Sequence, residues 1–186
     1  MRKALYLLGV LDDVDIEWLA THGTVRHLSP GTLLIEERKP IDSLYIVLDG
    51  HLSVMVGGRD GTHIANLYAG EVVGEISFVD SRPPSASVIA VRDSQVLALS
   101  RLELSVKLGK DHAFAERFYL SIAKFLADRL WVTVGRFGYG SAQQDTDIDE
   151  MEDAFADEVS LAAVRFDKLL KRVCGDYRTK IATPYL

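Results

Sequence analysis

Short apolar runs, separated by glycine and aspartate, fill the middle of this chain and limit what it can fold into. The turn segments include Asp49-Gly50 and Gly57-Gly58-Arg59-Asp60-Gly61, whose residues adopt the backbone angles of tight hairpins at little cost. Even spacing of short strands and turns is typical of an antiparallel roll or barrel. We therefore predict a jelly-roll-like antiparallel β-roll between about Thr24 and Ser100, with strands at 33–35, 44–48, 52–56, 64–67, 87–91 and 96–99.

Helical spacing flanks the β region on both sides, which makes the predicted fold class α+β. Residues 2–22 carry leucine and isoleucine at steps of roughly three and four residues and indicate two short helices. After Arg101 a stripe at steps of four predicts one long helix; its members are Phe114, Phe118, Ile122, Leu126, Leu130 and Val134. Tyr119, Phe125 and Trp131 lie off that stripe. The long helix therefore either buries a broad apolar face in the core of its own domain, or packs on both the roll and a partner.

Residues 141–186 form a tail with its own helical pattern, following a first domain at 1–140. Apolar residues recur in the tail at heptad spacing, namely Phe155, Val159, Ala162, Phe166, Leu169 and Val173. An acidic stretch at 145–158 precedes a basic one at 165–172, and this order suits the dipole of a single amphipathic helix. Such a helix either docks on its own roll, or pairs with a partner helix or with a second copy of itself, where an antiparallel arrangement would match the acidic end to the basic end. Together with the long helix, it leads us to expect a homodimer formed through the C-terminal helices.

The most informative segment is 70–88, with the sequence GEVVGEISFVDSRPPSASV. It combines a Gly-Glu turn at Gly74, a short variable loop and a small-Ala-Ser-Val strand that starts at Ser85. This pattern resembles the phosphate-binding cassette of the cyclic-nucleotide-binding family, which includes the catabolite activator protein and the regulatory subunits of protein kinase A. The resemblance extends over about residues 5–138, because the helical lead-in, the strand and turn at 44–50 and the long helix also match the family layout.

The resemblance implies a role for each matching residue of the cassette. In the family, the short helix after the Gly-Glu turn presents backbone N–H groups to a cyclic phosphate, the Glu accepts a hydrogen bond from the ribose 2′-hydroxyl, and an Arg neutralises the phosphate. The ligand-binding candidates here are Gly74, Glu75, Ile76, Ser77, Ser85 and Ala86. Arg129 and Thr133 are candidates for contacts to the base, which the family takes largely from its long helix.

One position departs from the family pattern. Pro84 stands where the family has its phosphate Arg, and proline has neither a charge nor an N–H group. Arg82, two residues earlier, is the remaining candidate cation within the cassette, although the rigid Pro83-Pro84 pair restricts its approach. We therefore expect a regulatory signalling module with weak or altered binding of a cyclic mononucleotide or another nucleotide. The alternative is a ligand-independent scaffold on the same fold, acting on an unidentified partner protein.

Other classes of function find little support in the sequence. Neither a His-x-His pair, nor a phosphate-binding P-loop, nor a nucleophile elbow is present, and the lone Cys174 has no sequence-local His; we expect no catalytic site, metal or cofactor. The net charge of −6 and the acidic start of the tail argue against DNA binding. Lacking any apolar run long enough to cross a bilayer, and carrying a single cysteine, the chain is expected to be cytoplasmic.

Overall fold

Two four-stranded antiparallel sheets form the middle of the protein and confirm the predicted β-roll. The computed structural model describes residues 6–58, 61–136 and 148–175. The strands lie in the orders β1-β8-β3-β6 and β2-β7-β4-β5. Their bounds are β1 (Thr24–Leu28), β2 (Leu33–Ile35), β3 (Ser43–Asp49), β4 (His51–Val56), β5 (Thr62–Tyr68), β6 (Val72–Val73), β7 (Ser87–Ala90) and β8 (Ser94–Ser100).

Strand β3 shows why part of the roll is continuously apolar rather than alternating. Every residue from 44 to 48 is buried. Tyr45 and Val47 pack with residues of the second sheet, whereas Leu44, Ile46 and Leu48 pack with residues of the helices. Because successive side chains of a strand point to opposite faces, both faces of this sheet are covered. A strand covered on both faces needs apolar residues at every position.

Helices precede, interrupt and follow the roll. In the described part of the chain they are α1 (Tyr6–Val10), α2 (Asp13–His22), α3 (Glu75–Asp80), α4 (Arg101–Lys110), α5 (His112–Arg136) and α6 (Ile148–Cys174). The two short N-terminal helices and the long helix α5 are therefore confirmed. A separate helix, α4, comes before α5, and the break lies at Asp111. The Oδ1 atom of Asp111 accepts a hydrogen bond from the Phe114 backbone N–H at 3.0 Å, which caps the start of α5.

The predicted stripe on α5 does not stay on one face of the helix. Phe114 and Phe118 are fully buried, but Leu130 is 64% exposed and Val134 is 40% exposed. The reason is geometric: a helix turns about 100° per residue, so each four-residue step advances the stripe by about 40° beyond a full turn. Five such steps carry it from the core side of the helix to the opposite side. Phe125, which lay off the stripe, is buried instead.

The tail helix α6 docks on the helices of its own chain. Ala162 and Leu169 are fully buried there, while Phe166 and Val173 are partly buried against the same core. The Nη1 atom of Arg165 donates to the backbone oxygens of residues 8 and 9, at 3.2 and 2.8 Å, and so satisfies carbonyls at the end of α1. The structure therefore shows docking in cis, but mainly on helices α1 and α2 rather than on the roll as predicted. The side chains of Phe155 and Val159 lie outside the described residues.

Candidate functional site

The cassette begins at a glycine that no other residue could replace without strain. Gly74 has φ 93° and precedes helix α3 directly. A Cβ atom at this position would lie 2.8 Å from Cδ1 of Ile41 and 3.2 Å from the backbone oxygen of Ser43. Both the left-handed conformation and the close approach of strand β3 therefore require glycine. The Gly-Glu turn singled out in the sequence is a real turn that starts a helix.

Glu75, the first residue of α3, is a buried charged residue of the cassette. Its side chain is 2% exposed, and its Oε1 atom accepts a hydrogen bond from Nη1 of Arg129 at 2.6 Å. Nη2 of Arg129 also donates to the backbone oxygen of Val72 at 3.4 Å, and the guanidinium lies 4.5 Å from the centre of the Phe125 ring. Burial raises the pKa of the Glu75 carboxyl above its ordinary value, and the positive charge of Arg129 opposes that rise.

Arg129 contacts the carboxylate of Glu75, whereas the sequence indicated a contact with the base of a nucleotide. Thr133, the other candidate on α5, donates its hydroxyl to the backbone oxygen of Arg129 at 2.7 Å. Through Arg129, this part of α5 is joined to the start of the cassette helix. Sequence spacing gave no signal for the Arg129–Glu75 pair, because the residues are 54 positions apart.

The far end of α3 is held by a second arginine that the sequence did not single out. Arg101, the first residue of α4, donates from Nη1 to the backbone oxygen of Ser77 at 2.7 Å and from Nη2 to Oγ of Ser81 at 2.8 Å. Its guanidinium also lies 5.6 Å from the centre of the Phe78 ring. A cation at a helix C-terminus satisfies carbonyls and complements the helix dipole. Arg101 and Arg129 thus fix the two ends of the short cassette helix from two different elements.

The other predicted cassette residues are not all brought together. Ser77 is buried in α3, whereas Ile76 is 48% exposed on its surface. Ser85 is exposed and Ala86 half-buried in the loop before β7. Arg82 is an exposed residue whose Nε atom donates to Oδ2 of Asp80 at 2.6 Å, so its charge is already engaged at the surface.

The segment around Pro84 is fixed by the loop between β2 and β3. The backbone N–H of Arg38 donates to the backbone oxygen of Pro84 at 2.8 Å, and the N–H of Glu37 donates to Oγ of Ser87 at 3.0 Å. This loop therefore runs beside the last residues of the cassette. Neither contact could be foreseen from the sequence, since the two segments are about 50 residues apart.

Two further properties of the described residues bear on the kind of site. Within residues 6–58, 61–136 and 148–175, no cluster of three or more His, Cys, Asp or Glu side chains is arranged to hold a metal ion. In the same part of the chain, no helix combines the length and the apolar character needed to span a membrane.

Comparison with known proteins agrees with this geometry. Residues 25–110 match the family model described as the cyclic nucleotide-binding domain. Over 114 residues the chain is 28% identical to the Pycsar effector protein XpPycTIR of Xanthomonas perforans. That match covers 61% of this chain and 37% of the Xanthomonas protein, so the chain spans little more than a third of that relative's length.

Solved structures show the same fold. A cyclic nucleotide-binding domain from Methylobacillus flagellatus superposes with a TM-score of 0.66 at 21% identity, over 77% of this chain and 85% of that one. The N-terminal domain of a transcriptional regulator from Streptomyces coelicolor superposes with a TM-score of 0.58 at 26% identity, over 77% and 99% of the two chains. The match to the family model, over a little less than half of the chain, agrees with the roll topology and with the cassette turn, so residues 25–110 are similar in sequence and fold to cyclic nucleotide-binding domains.

Proposed function

We propose that this protein is a non-catalytic regulatory module whose cassette binds a cyclic mononucleotide with low affinity. The observation that carries the proposal is the intact turn and buried carboxylate at Gly74 and Glu75, within a domain similar to those of this family. The low affinity follows from Pro84, which cannot neutralise a phosphate. Loss of one charge-assisted contact weakens binding by about tenfold to a hundredfold or more.

Helix α5 is the element that we propose to report occupancy. Arg129 connects this helix to Glu75, the carboxylate that would accept a hydrogen bond from the ribose hydroxyl. A ligand that bonds the carboxylate changes the environment of the ion pair and thereby favours one position of α5 over another. Such a ligand shifts an equilibrium only by as much as it binds one state better than the other.

Calorimetric titration of the purified protein with cAMP and cGMP tests the ligand proposal. We expect measurable but weak binding, and Glu75→Ala should weaken it about tenfold to a hundredfold through loss of the ribose hydrogen bond. A thermal melt of each variant controls for folding. Sub-micromolar binding by the unmodified protein would contradict the low-affinity proposal. Unchanged affinity in Glu75→Ala would place the ligand elsewhere.

We also propose that two copies associate through the outer face of α5. Six residues on this face are exposed and lie within about 100° of one another around the helix: Leu120, Ala123, Ala127, Leu130, Trp131 and Val134. Trp131 is 82% exposed. The buried face, with Phe118 and Ile122, is on the opposite side of the helix, so the outer face needs other cover. Since α6 docks in cis, α5 is the helix that supports this dimer.

Light scattering at tens of micromolar protein tests the association. The full chain should be a dimer, and Trp131→Glu should shift it towards the monomer. Leu102→Glu on α4, where the native leucine is 74% exposed, is a matched control that should leave the mass unchanged. A monomeric full chain would rule out the dimer.

A further inference from the structure

We propose that Arg38, in the loop between β2 and β3, replaces part of the phosphate-binding charge that the cassette lacks at Pro84, at lower strength because its side chain is exposed to solvent. This inference rests on the proposed binding of a cyclic mononucleotide. It assigns to a different segment of the chain a charge that the family pattern has inside the cassette itself.

Backbone contacts place Arg38 beside the altered position. Its N–H donates to the backbone oxygen of Pro84 at 2.8 Å, and the preceding residue, Glu37, bonds Oγ of Ser87 through its own N–H at 3.0 Å. These two hydrogen bonds join the loop to both sides of residues 85 and 86. Arg38 is thus hydrogen-bonded through its backbone to Pro84, the position at which the family pattern has its phosphate Arg.

Arg38 has a backbone conformation that favours glycine, so local folding alone does not explain an arginine at this position. It has φ 62°, in the left-handed region, where glycine is favoured and a residue with a Cβ atom is strained. Arg38 and Ser81 are the two non-glycine residues with positive φ in the described part of the chain. Strain of this kind often marks positions where a side chain serves binding.

The guanidinium of Arg38 is also more available than the neighbouring cations. It is 89% exposed, and its ion pair with Glu37 is long, at 3.6 Å. Glu37 directs its Oε2 atom to the backbone N–H of Gly57 at 2.7 Å, so this carboxylate has a closer partner. Arg82 and Lys39, in contrast, have close contacts with Asp80 and Glu36, at 2.5 and 2.9 Å. Arginine also suits a phosphate because its planar fork can donate two parallel hydrogen bonds.

Calorimetric titration with cAMP and cGMP of the full chain and of Arg38→Gly tests the inference. Glycine removes the cation and relieves the strained backbone, so the melting temperature should not fall while affinity drops about tenfold. Arg38→Lys should retain part of the affinity. Arg82→Ala and Lys39→Ala remove neighbouring cations and should change affinity less than about threefold, since their charges are engaged at the surface. Equal affinity in Arg38→Gly and the unmodified protein would overturn the inference.

Pro84→Arg separates failure of this inference from failure of the proposed function. With a cation restored inside the cassette, the further change Arg38→Gly should have only a small effect on affinity. If Pro84→Arg binds a cyclic nucleotide and the unmodified protein binds none, the pocket can hold the ligand but Arg38 does not supply the charge. The inference about Arg38 then fails. If neither protein binds either nucleotide, the proposed function fails and the inference fails with it.

Discussion

Nη1 of Arg129 on helix α5 lies 2.6 Å from Oε1 of Glu75 at the start of the cassette helix. Glu75 is 2% exposed, whereas the Arg129 side chain is 33% exposed, so the anion is buried and its partner reaches in from the surface. The pair connects the cassette directly to the long helix that carries the exposed apolar face. Changes to this pair should therefore affect both the fold and the response to a ligand.

Removal of Arg129 should destabilise the protein strongly. Arg129→Ala leaves the Glu75 carboxylate buried without its counter-charge, and we expect a loss of about 3 kcal/mol in the free energy of unfolding, measured by urea denaturation. Arg82→Ala is the matched control, because the Arg82–Asp80 pair is at the surface and contributes little. An Arg129→Ala protein as stable as Arg82→Ala would contradict the importance of the buried pair.

Restoring the family's arginine should restore affinity. Pro84→Arg adds a cation at the position where the cassette pattern has its phosphate Arg, and calorimetry should show affinity for a cyclic mononucleotide raised at least about tenfold. The backbone oxygen of residue 84, which accepts from Arg38, is unaffected by the change. A folded Pro84→Arg protein that binds nothing would favour the ligand-independent scaffold, because the pocket would then have lost more than its charge.

The stability of the N-terminal helices should depend on acid pH through Asp15. Burial acts to raise the pKa of this carboxyl, but hydrogen bonds from Arg117 and from the Asp12 backbone hold the pKa below its ordinary value of 3.8. A lowered folded-state pKa means that the contribution is complete above 3.8 and is lost as the pH falls through the folded value.

Asp15→Asn tests this dependence. It should cost about 2 kcal/mol at neutral pH, through loss of the charged contacts to Arg117, and should flatten the fall in stability below pH 4. Urea denaturation between about pH 2 and 7 measures both effects at each pH at which the protein is folded in the absence of urea. Asp80→Asn, at an exposed ion pair, is the control and should leave the profile close to that of the unmodified protein. If Asp15→Asn loses as much unfolding free energy at acid pH as the unmodified protein, groups other than Asp15 cause the acid dependence.

Docking of the tail helix in cis should be measurable as stability. Leu169 is fully buried on α6, and Leu169→Ala should cost about 2 to 5 kcal/mol in the free energy of unfolding. Leu161→Ala on the same helix is the control, since Leu161 is 45% exposed. Because the contacts are within one chain, the loss should not vary with protein concentration. A loss that grows on dilution would indicate that α6 packs on a second copy instead.

Most strands of the roll, the flanking helices and the kind of domain could be predicted from local sequence patterns, whereas strand β1 and the separate helix α4 could not. Alternation and glycine turns reveal strands because side-chain direction and positive φ are local properties of the backbone. The turn at Gly74 was predicted from the resemblance of residues 70–88 to the cassette of the cyclic-nucleotide-binding family. Strand β6, only two residues long, was too short to show a period.

Which faces and which charges meet depends on how distant segments pack together. Glu75 with Arg129, and Asp15 with Arg117, are 54 and 102 residues apart, and no spacing rule relates such positions. The i+4 stripe of α5 was divided between core and surface because the helix turns 3.6 residues per turn rather than four. The sequence left the partner of the tail helix open, because an amphipathic pattern shows that a helix face must be covered but not which surface covers it. Docking on α1 and α2 was decided by the shape and charge of surfaces that exist only after the chain has folded.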